Sequence, residues 1–292
     1  MAELGLGIDI GGTNARVARV EPSGRIIGSA KAPLTDHSPA GVVASIAALV
    51  RQLGGEVPAH VGVGFAGMLR GPVVVNAPNF GWRNVDLGTP LAAALGTRVT
   101  LLNDLSAAAW GERMAGVARG CDDTFTVFVG TGVGSAIISA GHLVRGATQV
   151  AAEFGHLKVV AEGGRRCGCG EDGCLEAYLG GAKLLEWMKE AGLGGTIADL
   201  EQRALGGDPR SRELYDFAVG HLALAIANQV TVLNPRMVVL GGGVLARCPG
   251  IVARVREVVS RRSGAAARAG LEIAMAALGD DSGLVGAALL AG

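Results

Sequence analysis

The stretch LGLGIDIGGTNARVARV, residues 4–20, alternates apolar side chains with glycine as far as Ile10. It turns through Gly11, Gly12, Thr13 and Asn14 and resumes as a second strand from Ala15 to Val20. That is strand, glycine turn, strand, with Asp9 just ahead of the turn. Consecutive glycines bare backbone N–H groups, and the Thr13 and Asn14 side chains can add donors, so the concavity suits phosphate oxygens. An ordinary hairpin has the same composition, because Gly-Gly is a common turn. The stretch has an echo, DTFTVFVGTGVGSAIIS at residues 123–139. It predicts a strand over 123–129, a turn through Gly130, Thr131, Gly132, Val133 and Gly134, and a second strand over 135–139. Two such units about 120 residues apart predict duplicated α/β halves that clasp phosphates between two hairpins, and the repetition strengthens each hairpin's reading.

Outward from the first hairpin, residues 26–34 predict a third strand, 40–53 a helix and 60–65 another strand. Gly62, Gly64 and Gly67 match the dinucleotide G-x-G-x-x-G spacing, but no helix opens on Gly67; Gly71, Pro72 and a strand-like 73–75 follow instead. No G-x-x-x-x-G-K-[ST] occurs, which excludes a P-loop. In the polar loop 76–82, Asn79 either orients a ligand hydroxyl or caps a turn. A helix over 91–95 precedes a strand over 97–102, which ends at Asn103 and Asp104 before a helix starting near Leu105. Ligands of α/β folds gather at the carboxyl ends of strands. Asp is also a favoured helix N-cap, and the two roles are compatible. Helices are predicted over 182–191, 196–205 and 212–233, the last apolar enough for a core helix. A strand over 237–240 runs into Gly241, Gly242 and Gly243, which admits either close approach of a flat ring such as adenine or simply a tight strand–helix turn. Helices over 251–260 and 282–290 close the chain.

The segment EFGHLKVVAEGGRRCGCGEDGCLE, residues 153–176, holds three of the five cysteines. Cys167, Cys169 and Cys174 with His156 offer three thiolates and an imidazole, a set that fills the tetrahedron of a structural Zn2+ with no vacancy for water. Unpaired thiols or a disulfide are the alternatives, and a disulfide framework suits a small secreted chain better. Glu153 and Glu176 bracket the knot, so two acids and an imidazole converge where a hydroxyl-rich ligand can bind.

Length allows two domains in 292 residues. Lys plus Arg and Asp plus Glu stand at 26 each, which leaves no electrostatic footprint for nucleic acid or an anionic membrane. No apolar run reads as long enough to cross a bilayer. The first residues read as a strand rather than a secretory leader, and reduced cysteines in a metal site suit the cytoplasm.

Together DIGGTN at 9–14, ND at 103–104, GTGVG at 130–134, EFGH at 153–156 and CGCGEDGCLE at 167–176 resemble the ROK family of sugar kinases and sugar-responsive repressors, collinearly over nearly the whole chain. The resemblance implies an α/β, actin-like ATPase (RNase H-like) fold with two α/β domains and a cleft. The domains are expected at 1–118 with 281–292 and at 119–280, the larger carrying a zinc segment that braces a sugar site. It further implies Asp104 as catalytic base. Gly67, Asn79, Asn103, Glu153, His156 and Glu176 would lie against the sugar, with His156 also on zinc through its other nitrogen. Gly11, Gly12, Thr13, Asn14, Gly130, Thr131 and Gly132 would cradle the phosphates of ATP, Gly241–Gly243 would border the adenosine, and Asp9 would sit near Mg2+. One departure is the run Phe65-Ala66-Gly67-Met68, where many kinases of the family carry Pro-Gly.

These implications point to an ATP-dependent hexokinase acting on the 6-hydroxyl of glucose. N-acetylmannosamine, N-acetylglucosamine, fructose and allose are the alternative acceptors. A family habit suggests a homodimer. A repressor needs an N-terminal helix-turn-helix domain, for which the residues ahead of Asp9 leave no room. A non-catalytic sugar-responsive regulator is disfavoured by Asp104 standing with both glycine turns.

Overall fold

The computed structural model describes residues 4–290. Chain order runs β1 (Gly5–Ile10), β2 (Asn14–Val20), β3 (Ile26–Pro33), α1 (Pro39–Leu53), β4 (His60–Phe65), β5 (Met68–Arg70), β6 (Val73–Ala77), β7 (Trp82–Asp86), α2 (Gly88–Leu95), β8 (Arg98–Asn103) and α3 (Asp104–Met114). Then follow β9 (Thr124–Val129), β10 (Val133–Ser139), β11 (His142–Leu143), α4 (Glu176–Leu179), α5 (Gly181–Glu190), α6 (Ile197–Leu205) and α7 (Pro209–Leu233). The chain closes with β12 (Met237–Gly241), α8 (Gly243–Arg247), α9 (Pro249–Arg262), β13 (Glu272–Met275) and α10 (Ser282–Leu290).

Two compact units result. Unit 1 runs to Cys121, takes His142–Ala151 and resumes at Ala276; unit 2 is Asp122–Gly141 with Ala152–Met275. The ends anticipated at residues 1 and 292 lie outside the described residues. Where the sequence suggested breaks at 118/119 and 280/281, the units part at 121/122 and 275/276. The stretch after Ala276 goes with unit 1 because the backbone N–H groups of Ala277 and Leu278 donate to Glu112 of α3 at 3.0 and 2.9 Å.

In unit 1 the main sheet has the order β3-β2-β1-β4-β8. The first three strands form an antiparallel meander, while β4 lies parallel to β1 and β8 parallel to β4. Helix α1 starts at an N-cap, Ser38, whose Oγ accepts from Gly41 N at 3.0 Å. It buries Val42, Ile46, Leu49 and Val50, the i, i+4, i+7, i+8 stripe of an amphipathic helix. The strand glycines serve α10. Methyl groups on Gly7 and Gly62 would collide with the carbonyls of Leu284 and Ala287, and one on Gly286 with that of Ala107 in α3. The dinucleotide look-alike at 62–67 is therefore partly a packing device.

In unit 2, β10 and β9 are antiparallel, β12 lies parallel to β9 and β13 parallel to β12. The order β10-β9-β12-β13 repeats β2-β1-β4-β8 strand for strand and sense for sense, as the duplicated hairpin predicted. β13 had no sequence signal, being four residues long. Helix α7 begins at Pro209, three residues before its predicted start, with Asp208 as cap. It is also long and apolar enough to cross a membrane, which corrects the reading of the apolar runs. Leu214, Val219, Leu222, Ile226 and Val230 bury its inner face in the unit's own core.

Candidate functional site

Unit 1 builds its part around the β1–β2 turn. Ile10 and Ala15 are the last paired residues, so the turn is Gly11 to Asn14. Gly11 N donates to Asn14 O at 3.0 Å, Thr13 O accepts from Leu34 N at 2.9 Å, and Asn14 Nδ2 donates to Thr13 Oγ1 at 3.0 Å. The backbone N–H groups of Gly12 and Thr13 bond nothing among the described residues, which is how a phosphate-binding nest is left open. Neither glycine has positive φ. Gly12 is tied instead to crowding, since a methyl there would lie 3.2 Å from Cβ of Asn79. The predicted loop 76–82 is in fact the end of β6 and a 3-10 turn, Pro78–Phe80, which carries Asn79 to the glycine turn.

Asp9, one residue before the end of β1, faces Arg16 across the β1–β2 pair. Burial lifts its carboxyl above the ordinary carboxylate value, against the pull of Arg16; the Asp281 carboxylate adds to the rise. Arg16 is itself engaged by the Asp281 side chain and, at 2.8 Å, by Asp280 O. At the end of β8, Asn103 caps α3, its Oδ1 accepting from Leu105 N at 3.0 Å and Ser106 N at 3.3 Å. Its Nδ2 donates to Gly67 O at 3.2 Å, which leaves one amide hydrogen for a ligand. Asp104 is the first residue of α3, its Oδ1 accepting from Leu105 N at 2.9 Å.

Unit 2 repeats the device more tightly. Val129 pairs with Val133, so the turn is Gly130 to Gly132, closed by Gly130 N donating to Gly132 O at 2.9 Å. The carbonyls of Gly130 and Thr131 accept from Gly181 N at 2.9 Å and Ala182 N at 3.1 Å, at the start of α5. Backbone N–H groups of Thr131 and Gly132 remain unbonded among the described residues. Of the glycines after β12, Gly241 lies against the Phe128 ring and Gly242 has φ of 91° against the Val129 backbone. The strand–helix turn alone demands those two; Gly243 has only the Arg247 guanidinium near it.

The metal-ligand set converges as its spacing predicted. One donor atom from each of His156, Cys167, Cys169 and Cys174 lies within 4.8 Å of the others. Gly173, at φ 74°, turns the chain so that Val159 N and Val160 N both donate to its carbonyl. Cys169 and Cys174 Sγ stand 3.8 Å apart, and Cys167 Sγ is 3.7 Å from His156 Nδ1. A tetrahedral centre with Zn–S bonds of about 2.3 Å separates its sulfurs by about 3.8 Å, so the donors fit Zn2+. All five cysteines are free thiols, so the disulfide alternative is not formed. Burial pushes the Cys167 thiol up to about 12. Cys169 is lowered: burial opposes the shift, while the Glu171 backbone N–H and the neighbouring thiols outweigh it.

His156 is used on both sides. Nδ1 faces the thiols and Nε2 lies 3.7 Å from Glu153 Oε2. Burial raises the Glu153 carboxyl, His156 opposing and Glu176 adding to the rise. Glu176, at the start of α4, carries a link no motif announced. Its Oε2 accepts from Val133 N at 2.9 Å, and its Oε1 lies 3.8 Å from Cys167 Sγ. Another acid missed from sequence is Glu112, buried in α3 and ringed by donors from residues 117, 277, 278 and 282.

The paired sheets and their glycine hairpins give the chain an α/β fold of the actin-like ATPase type, shared with solved structures along its length. The model of the ROK family matches residues 5–292, and the chain belongs to that family. A glucokinase from Streptomyces coelicolor is 33% identical, with 99% of this chain and 97% of that protein covered. The crystal structure of a ROK family glucokinase from Streptomyces griseus in complex with glucose and AMPPNP matches at 33% identity and TM-score 0.81, covering 99% of both chains. ROK hexokinase from Thermus thermophilus matches at 28% identity and TM-score 0.87, covering 99% of this chain and 98% of that one.

Proposed function

We propose that the protein is an ATP-dependent hexokinase that phosphorylates the 6-hydroxyl of glucose. The observation that carries this reading is the end-to-end likeness to glucokinases at 33% identity. The site chemistry agrees with it. Phosphoryl transfer asks mainly for positioning and charge stabilisation. Backbone N–H groups at Gly12, Thr13, Thr131 and Gly132, unbonded among the described residues, take phosphate oxygens, and Gly241–Gly243 border the adenosine. Asp104, at a strand end, accepts the proton of the attacking hydroxyl. Asn79, Asn103, Glu153, His156 and Glu176 hold the other hydroxyls, with Gly67 beside them. Mg2+, when bound, neutralises charge across the β- and γ-phosphates, and Asp9 would hold it through water. Zn2+ on Cys167, Cys169, Cys174 and His156 Nδ1 would keep the imidazole fixed, with Nε2 turned to the sugar and Glu153.

The protein acts as a homodimer in this reading, for which Phe217 and Leu224, exposed two turns apart on α7, supply apolar surface. Sugar-dependent ADP release is the test, read with a coupled enzyme across glucose, N-acetylmannosamine, N-acetylglucosamine, fructose and allose and ranked by kcat/KM. Glucose ranks first if the reading holds. A different leading sugar moves the acceptor assignment, and no sugar-dependent ADP release with any of them overturns the kinase.

A further inference from the structure

Glu176 belongs by sequence to the metal knot, two residues after Cys174, yet one oxygen of its carboxylate serves the glycine turn. Oε2 takes the N–H of Val133, 43 residues away. A methyl on Gly132 would collide with that same oxygen, and Gly132 has no positive φ that would otherwise require glycine. The residues that follow continue the grip. Gly181 and Ala182 donate to the carbonyls of Gly130 and Thr131. A side chain on Gly180 would crowd Thr131 O, 3.2 Å from its first carbon. On its other side α4 is part of the knot, since Ala177 and Tyr178 are buried in one cluster with Cys167 and Cys174. The carbonyls of Gly130 and Thr131 and the N–H of Val133 are therefore all held by residues 176–182, and the unbonded N–H groups of Thr131 and Gly132 are oriented as a consequence.

We propose that Glu176 is a positioning residue for the nucleotide turn 130–133, fixing its phosphate-facing N–H groups from the metal knot whether or not sugar is bound. This rests on the ATP reading of that turn. It predicts that Glu176 sets nucleotide affinity in addition to any contact with sugar.

The test is the Kd of a fluorescent N-methylanthraniloyl ATP measured without sugar, on the full chain, with circular dichroism checking the fold of every variant. Glu176→Ala removes the acceptor and weakens binding by about tenfold or more, the effect of losing a hydrogen bond to a charged group. Glu176→Gln keeps an oxygen for Val133 N–H and stays within about threefold of wild type. Gly132→Ala displaces the carboxylate by its methyl group and weakens binding similarly. Because both act through one contact, the double variant is no worse than Glu176→Ala alone. Unchanged affinity in Glu176→Ala, or additive losses in the double variant, would overturn the proposal while leaving the ATP reading intact. Wild-type protein that binds no nucleotide would overturn the ATP reading itself, and this role with it.

Discussion

Glu112→Gln isolates the most concentrated polar contact in unit 1. The Glu112 side chain is 0% exposed. Its Oε2 accepts from Val117 N and Ala277 N, both at 3.0 Å, and its Oε1 from Leu278 N and Ser282 Oγ, both at 2.9 Å. Three of these partners are backbone N–H groups, which can only donate, and the fourth is a hydroxyl that also reaches Gly279 O at 2.8 Å. Glutamine is isosteric but turns one oxygen into an NH2 group. With the NH2 in place of Oε2 two backbone N–H groups face a donor; in place of Oε1 only the Leu278 N–H does, because the Ser282 hydroxyl can give its proton to Gly279 O at 2.8 Å and accept from the amide. In the better orientation one charge-assisted hydrogen bond is lost, at about 1.5–3 kcal/mol. Against a typical domain stability of about 5–15 kcal/mol this is a sizeable share. It should release the 276–282 connection and with it α10, which packs on α3 behind Asp104. Urea unfolding followed by Trp82 and Trp110 in a Trp187→Phe background reports unit 1. The midpoint should fall by the equivalent of at least about 1.5 kcal/mol, while circular dichroism retains the unit 2 transition. A loss below about 1 kcal/mol would refute the claim that these donors depend on the carboxylate.

Further expectations follow from the site itself. Asp104→Asn should keep sugar and nucleotide Kd near wild type by calorimetry and lose roughly 10²–10⁴ in kcat; near wild-type turnover removes Asp104 as base. Asp9 holds its proton more tightly in the folded chain, so folding is favoured below its ordinary value of 3.8 and that contribution is lost as pH rises through the raised folded value. At pH 7 the buried charge is then a net cost without ligands, and Asp9→Asn should raise the apo Tm, the gain shrinking toward pH 4; an unchanged or lower Tm at pH 7 contradicts the assigned shift. Gly62→Ala should lower stability by about 1–3 kcal/mol in thermal melts, through overpacking of α10 against β4; a neutral effect would mean that this contact yields readily. Mass spectrometry under non-denaturing conditions should find one zinc per chain, abolished by Cys167→Ser; metal-free wild-type protein would remove the structural role.

The sequence is most legible where one short segment contains all that matters. The turn 11–14 closes on itself through Gly11 and Asn14, and its donors are backbone groups, so its own four residues display it. Cys167, Cys169 and Cys174 converge for the same reason, since a knot of eight residues can form only locally. His156 was legible in type, and its use of Nδ1 for the thiols and Nε2 for Glu153 waited on the ring's orientation. Asn103 and Asp104 were found as a strand end; that Asn103 spends its oxygen capping α3 is a matter of side-chain rotation. The strand β13 escaped because its four residues are strand only by pairing with β12.

What the sequence by itself determined is the duplicated strand–turn–strand device, the metal-ligand set and the family, because each is written in residues close together whose chemistry is local. Tertiary structure decided the rest: that Gly62 and Gly286 make room for backbone, that Glu112 gathers donors 5 to 170 residues away, and that Glu176 answers Val133. Such contacts depend on how sheets and helices stack, and a side chain's partner across that distance is set by packing, which no local pattern encodes.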